Sequence, residues 1–273
     1  MKKLILLLLL SISTIVNAQE FQGKAVYKTH RKIDLKIDSK TTSDAQQEKL
    51  MALMKKQFQK TFILNFNKSE SIYKEDTQLA KPEVQGGMQV QIVSIGGSGG
   101  TDILYKNTKE KRFTNKTEIM GKRFLIKDTL LDSKWELSGE TKNIGNYTCY
   151  KATYSREVEN TSFVMSNGKP EETKKKETIV TTAWYTTEIP VSNGPGRYGG
   201  LPGLILEIND GKLTIACTEI VMNPTKKIDI EEPTKGKKIT QKKFDKIQEE
   251  KSKEMMERFR NKKGDGIEIR IGG

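Results

Sequence analysis

Apolar and polar residues alternate through FQGKAVYKTHRKIDLKID, residues 21–38, with the two-residue period of a half-buried strand. The period then changes. Ser43 stands at a cap position with Gln46 three residues on, and Leu50, Leu53, Met54 and Phe58 recur at helical spacing. This predicts a helix over residues 44–59. Alternation returns in TFILNFNKSESIYKED, where Phe62, Leu64 and Phe66 share a face and a polar turn leads to Ile72 and Tyr73, the pattern of a hairpin. Residues 80–100 are glycine-rich and end in GGSGG, a loop with a short strand at Val90 to Ile95.

From 102 to 190 the chain reads as successive strands: DILYKN, KRFTNKTEIM, KRFLIKD, WELSGETKNIG, YTCYKATYSREV and ETIVTTAWYTTEIP. They are dense in β-branched and aromatic residues. The polar interval 166–176 reads as an exposed loop. Strands that follow one another without intervening helices imply antiparallel pairing. A further strand at 204–208 meets Asn209-Asp210-Gly211, a hairpin signal, and returns over 212–220. Residues 223–239 form a polar linker. Thr240 caps a second helix, 241–260, with Phe244, Ile247, Met255 and Phe259 on one stripe, and residues 267–271 alternate as a short terminal strand. The fold class is therefore mainly β with two helices (α+β): a large curved antiparallel sheet or half-barrel over residues 19–222, then a linker, then residues 240–273 packed on or near it.

The amino terminus adds a compartment. Lys2 and Lys3 precede an apolar run from Leu4 to Leu10, and Val16-Asn17-Ala18 offers small residues before a cut. This is a secretory signal peptide, residues 1–18, and it implies a periplasmic protein or one at the outer-membrane periphery. No later segment is apolar enough to cross a bilayer, so the chain is not membrane-spanning. The net charge is +13, but the lysines interleave with glutamates (KKKETI, KIQEEKSKE) and no base-stacking motif accompanies them, which argues against nucleic acid.

An even cysteine count in an exported chain invites a disulfide between Cys149 and Cys217, provided that their strands lie side by side; otherwise both are buried thiols. With His30 the sole histidine, neither a metal site nor a histidine-based nucleophile is supported, and no cofactor motif is present. Glu136, Glu140, Glu188 and Glu207 lie in or near strands and leave a carboxylate hydrolase open as an alternative.

One segment concentrates rigid and permissive residues: RYGGLPGLILEIND, residues 197–210. In Leu201-Pro202-Gly203-Leu204, proline presets one central dihedral and Gly203 supplies the positive one, the type II signature. Successive N–H groups in such a loop cup anions, and Arg197 stands beside them. Arg197, Gly199, Gly200, Pro202 and Gly203 are thus candidate ligand-binding residues. Trp135, Trp184 and Tyr185 join them as aromatics that can line a curved sheet for an apolar ligand or peptide.

The string from Gly200 to Ile205 resembles the signature of the GLPGLI family. The likeness extends to Trp135-Glu136-Leu137, to the run from Ile144 to Ala152, to Ala183-Trp184-Tyr185-Thr186, to Ile189-Pro190-Val191 and to Gly194-Pro195. Asn146 departs from it, since a glycine commonly precedes the tyrosine. The resemblance implies an exported β-rich protein of Bacteroidetes-type bacteria, without an assigned activity or catalytic residues, in some cases linked to outer-membrane receptors. The strand order is also similar to lipoprotein-carrier half-barrels, as an analogy of fold. Together these readings lead to an exported, non-enzymatic binding or accessory protein, whose partner is an outer-membrane receptor or an apolar ligand. The alternatives are a hydrolase, or an interaction protein that acts by strand addition.

Overall fold

The computed structural model describes residues 21–32, 59–77, 102–166 and 169–261. The segments expected as a signal peptide (1–18), a helix (44–59, apart from Gln59), a glycine-rich loop (80–100) and a strand (267–271) lie outside them. The described residues form one open sheet of 12 strands, in the order β12-β6-β5-β4-β3-β2-β1-β11-β10-β9-β8-β7. The strands are β1 (Gln22–Arg31), β2 (Lys60–Asn67), β3 (Glu70–Glu75), β4 (Ile103–Asn107), β5 (Arg112–Ile119) and β6 (Lys122–Thr129). They continue with β7 (Glu136–Ile144), β8 (Tyr147–Ser166), β9 (Lys169–Thr186), β10 (Leu204–Asn209), β11 (Leu213–Met222) and β12 (Lys237–Ile239). One helix is described, α1 (Gln241–Asn261).

Four features depart from the sequence reading. The sheet is mixed, because β12 pairs parallel with β6. The stretch 223–239 therefore ends in an edge strand. Residues 169–176 belong to β9 and pair with β8 out to Ser166↔Lys169, so the exposed loop at 166–176 is mostly strand. Finally, Cys149 on β8 and Cys217 on β11 are free thiols. Two whole strands, β9 and β10, stand between theirs, so the adjacency a bridge needs is missing.

The register sorts side chains onto two faces, because paired residues point the same way. Ala25, Tyr27, Leu64, Phe66, Tyr73, Leu104, Phe113, Phe124 and Ile126 fall on one face, together with Tyr185, Ile205, Ile208 and Ile215. All are buried. This inner face is covered by the β9–β10 connection, residues 187–203, through Ile189, Val191 and Leu201, and by α1, whose Phe244 meets Phe124 edge-on at 5.5 Å. The start of α1 is held by the Asp128 carboxylate, which accepts from the Gln241 amide at 2.9 Å; the charged group of β6 performs the role expected of Thr240.

The opposite face is covered in part as well. Val26, Ile72, Tyr105 and Leu125 are buried there. Residues 223–236 run along it, anchored by Glu232, whose carboxylate accepts from Arg112 (2.8 Å), Thr114 (2.6 Å) and Lys127 (2.8 Å). Burial opposes the Glu232 charge, but hydrogen bonds from Lys127, Thr114 and Arg112 outweigh it and hold the carboxyl at about 2.

Candidate functional site

The connection 187–203 is built of tight local turns. The amides of Val191, Asn193 and Tyr198 bond to the carbonyls of Ile189, Val191 and Pro195, and Asn193 bridges to Gly199. Its far end docks onto its own start: the Leu204 and Ile205 amides donate to the Ile189 and Asn193 carbonyls at 3.0 and 2.9 Å. The loop thus folds into a pad that rests on the inner face.

Glycine makes the pad possible, though not as its dihedral signature suggested. Positive φ falls at Gly196, +55°, and Gly200, +84°, and not at Gly203. Gly203 is required by proximity: a Cβ there would lie 2.0 Å from the Thr186 carbonyl oxygen. The loop re-enters the sheet at Leu204↔Thr186, and only a bare Cα clears the neighbouring backbone. Pro202 is exposed above it.

Beneath the pad lies Lys106 of β4. Only 1% of this residue is exposed. Its ammonium donates to the carbonyls of Gly194 (2.8 Å) and Tyr198 (3.0 Å), and among the described residues no carboxylate pairs with it. Burial pushes its pKa down to about 7. At that value the ammonium readily sheds a proton, and the neutral amine still keeps the two N–H groups that two carbonyls require. Tyr27 adds a second fastening, its hydroxyl donating to the Ile205 carbonyl at 2.7 Å.

Arg197 reaches from the pad over Phe113, 5.3 Å from the ring centroid. Burial lowers its pKa, while Asp245 of α1 and Asp128 of β6 oppose that shift. Trp135, just ahead of β7, donates its indole N–H to the Gly199 carbonyl at 2.9 Å and stands edge-on to Tyr154 at 4.8 Å.

The structure therefore gathers Trp135, Arg197, Gly199, Gly200 and Gly203 in or against the pad. Tyr185 is buried on the inner face, beside Ile205 in the register. Trp184 is separated from them. It projects from the other face of β9, under the Lys142 ammonium at 4.5 Å, and Lys142 also grips Glu207 at 2.8 and 2.9 Å. The pad's polar groups point at each other and at the sheet. Lys106 was missed from the sequence, yet it sits in the inward phase of DILYKN, two residues after Leu104. A lysine at a core position of an alternating strand is the signal that marked it.

The histidine and three of the carboxylates singled out in the sequence lie elsewhere or are engaged by other partners. His30 lies at the exposed end of β1. Glu140 is bound to Lys151, Glu188 accepts the Thr148 amide and Glu207 is held by Lys142. Among the described residues no group of three or more His, Cys, Asp or Glu gathers. Two open surface grooves are present, of about 710 Å³ between β12 and α1 and about 820 Å³ beside Phe21, Lys68 and Ile228. Neither is lined by Tyr27, Leu64, Leu104 or Tyr185. Among the described residues no helix is long and apolar enough to cross a membrane.

The last notable element is an arm. β7 pairs with β8 no farther than Thr153, and β10 pairs with β9 no farther than Thr182. From Tyr154↔Thr181 to Ser166↔Lys169, thirteen pairs continue with no third strand among the described residues. At 3.4 Å per residue this ribbon extends about 40 Å. Near its base Arg156, Glu157, Lys176 and Thr178 are exposed, and Val180 is 52% exposed.

A family model described as "Protein of unknown function (Porph_ging)" matches residues 135–207, from Trp135 through the arm and the pad into β10. The match carries that description and not the GLPGLI designation. No curated protein matches the chain. Solved structures of PNGF-II in two crystal forms are similar at 13% identity and a TM-score of 0.48; they align with 84% and 83% of this chain. The chain spans about a third of their length, 32% and 33%.

Proposed function

We propose that this is an exported, non-enzymatic binding or accessory protein of the cell envelope, and that it engages a partner protein through the β8–β9 arm by strand addition. The arm carries the reading. Isolated two-stranded ribbons are marginal in water, and the thirteen pairs, flanked by no third strand among the described residues, offer backbone N–H and C=O groups along both borders. An added strand from a partner satisfies those groups and lends the arm the third strand it lacks. The inner face favours a protein partner over an apolar small molecule, because the loop and α1 already occupy it. The periplasmic setting comes from the amino-terminal pattern, and an outer-membrane receptor is a partner of the right compartment.

The test is site-specific photocrosslinking in cells that export the full chain. A photoreactive residue at Arg156 or Val180 should join one and the same envelope protein, while one at Leu131, exposed but remote, should not. Joining Ser155 to Val180 through Asn-Gly removes the arm and should abolish capture while the sheet stays folded by circular dichroism. Equal crosslinking from Leu131, or capture undiminished without the arm, refutes the proposal.

A further inference from the structure

The groove between β12 and α1 is independent of the arm. Its volume is about 710 Å³. Ile239 and Ile247 contribute its apolar surface, and Lys237, Lys238, Lys243 and Lys246 stand around it. A fifth lysine, Lys127, reaches it but is bound to Glu232 at 2.8 Å. Glu250 is the one carboxylate in the lining.

Three observations point to an anionic occupant. In Lys60–Glu75, Lys142–Glu207 and Lys151–Glu140 a carboxylate already neutralises the lysine. None of the four groove lysines makes an ion pair among the described residues. Next, α1 has no acidic residue in its first turn and carries Lys242 and Lys243 there. Helix N-termini favour negative charge, so the lysines there add to a positive field that Asp128, at the Gln241 amide, and Asp245, bonded to the Gln241 side chain at 2.6 Å, offset in part. Lastly, the lysines come from two elements that β6 fixes together: β12 pairs with Phe124 to Ile126, and the helix start is bonded to Asp128. The cluster thus has a shape as well as a charge.

We propose that this groove binds a phosphate-bearing anion, with the ammonium groups of Lys237, Lys243 and Lys246 on the phosphate, Lys238 at the rim on the other side of β12, and the two isoleucines against the apolar part of the ligand. Ammonium groups serve phosphate as mobile point charges. Two sources share this chemistry: the headgroup of an anionic lipid and a soluble phosphate ester.

The test uses the full chain and two probes. Inorganic pyrophosphate is titrated by calorimetry, and phosphatidylcholine vesicles with and without phosphatidylglycerol are cosedimented, both at low and at physiological salt. Lys243→Glu with Lys246→Glu should weaken binding at least about tenfold, since each lysine near an anionic surface contributes severalfold. Lys109→Glu with Lys134→Glu, an equal charge change at exposed remote sites, should leave it within about twofold. The milder Lys238→Gln with Lys246→Gln covers the case in which charge reversal unfolds the chain. Pyrophosphate binding alone assigns the groove to soluble phosphate compounds; vesicle binding alone assigns it to lipid headgroups. Binding of neither probe, or equal losses in the groove and remote variants, overturns the proposal.

Discussion

Replacing Gly203 by alanine should destabilise the protein far more than the single added methyl suggests. The new Cβ would stand 2.0 Å from the Thr186 carbonyl oxygen, 2.6 Å from its carbon and 3.1 Å from the Thr187 Cα, all backbone atoms that no rotamer change can move. Real contacts of this kind do not close below 3.0 Å, so β9 and β10 must part by about 1 Å where Leu204 pairs with Thr186. Overpacking of this sort costs about 1–3 kcal/mol. The Leu204 and Ile205 amide bonds to Ile189 and Asn193 lie in the displaced segment, and each contributes about 1 kcal/mol. A loss of about 2–5 kcal/mol is expected from these terms. Urea unfolding followed by circular dichroism reports it as a lower midpoint at unchanged slope. Gly139→Ala is the control, since its Cβ meets nothing within 4 Å, and it should stay within about 0.5 kcal/mol of the parent. A Gly203→Ala variant as stable as the Gly139→Ala control refutes the close-approach argument.

Lys106 ordinarily titrates near 10.5 and is held at about 7, so between those values the unfolded chain binds the extra proton and stability rises with pH, by up to about 1.4 kcal/mol per unit. Lys106→Met should flatten that rise between pH 7 and 9; parallel stability curves for parent and variant would show that the ammonium is not buried as described. For Glu232, held at about 2 against an ordinary 4.5, the stabilisation is complete above the higher value and disappears as pH falls toward the lower one. Glu232→Gln should therefore cost about 1–3 kcal/mol at neutral pH and remove this acid sensitivity, with equal midpoints at pH 7 counting against the anchor. Burial pushes both cysteine thiols up to about 11, so the folded protein should resist alkylation at pH 7.5. Denatured without reductant it should take up label at both cysteines, and a chain that takes up none contains the bridge.

Much of the sheet was legible because its central strands alternate. Leu64 facing Ala25, Phe66 facing Gly23 and Leu104 facing Tyr73 are the two-residue period made visible. The hairpin at Asn209-Asp210-Gly211 was legible from turn chemistry. What escaped depends on strand order, which local pattern does not encode. Cys149 and Cys217 both sit in strand-like runs, and nothing in those runs says that β9 and β10 come between them. β12 is three residues of lysine, lysine and isoleucine, with too few alternations to announce a strand. The base of the arm was legible as strand in YTCYKATYSREV and ETIVTTAWYTTEIP, and its outer part was hidden because SNGKPEETKKK, residues 166–176, has the composition of a loop. Gly203 was placed correctly at a chain reversal for the wrong physical reason: Pro-Gly suggested a dihedral, whereas the requirement is a missing side chain. Among the candidate aromatics, Trp184 and Tyr185 were expected on one surface, yet adjacent residues of a strand face opposite ways.

The pairing of β1 with β11 has a consequence for biogenesis. Gly23 finds Met222 and Arg31 finds Leu213, so the first described strand waits for a neighbour almost two hundred residues later. Such long-range closure is slow. Until β11 has emerged from the ribosome or the translocon, the inward faces of Ala25 and Tyr27 lack one flank. A chain halted ahead of Leu213 would display two raw borders, β1 and β10, in what should be the middle of the sheet. A chain truncated ahead of Leu213 should therefore aggregate rather than fold as a smaller domain.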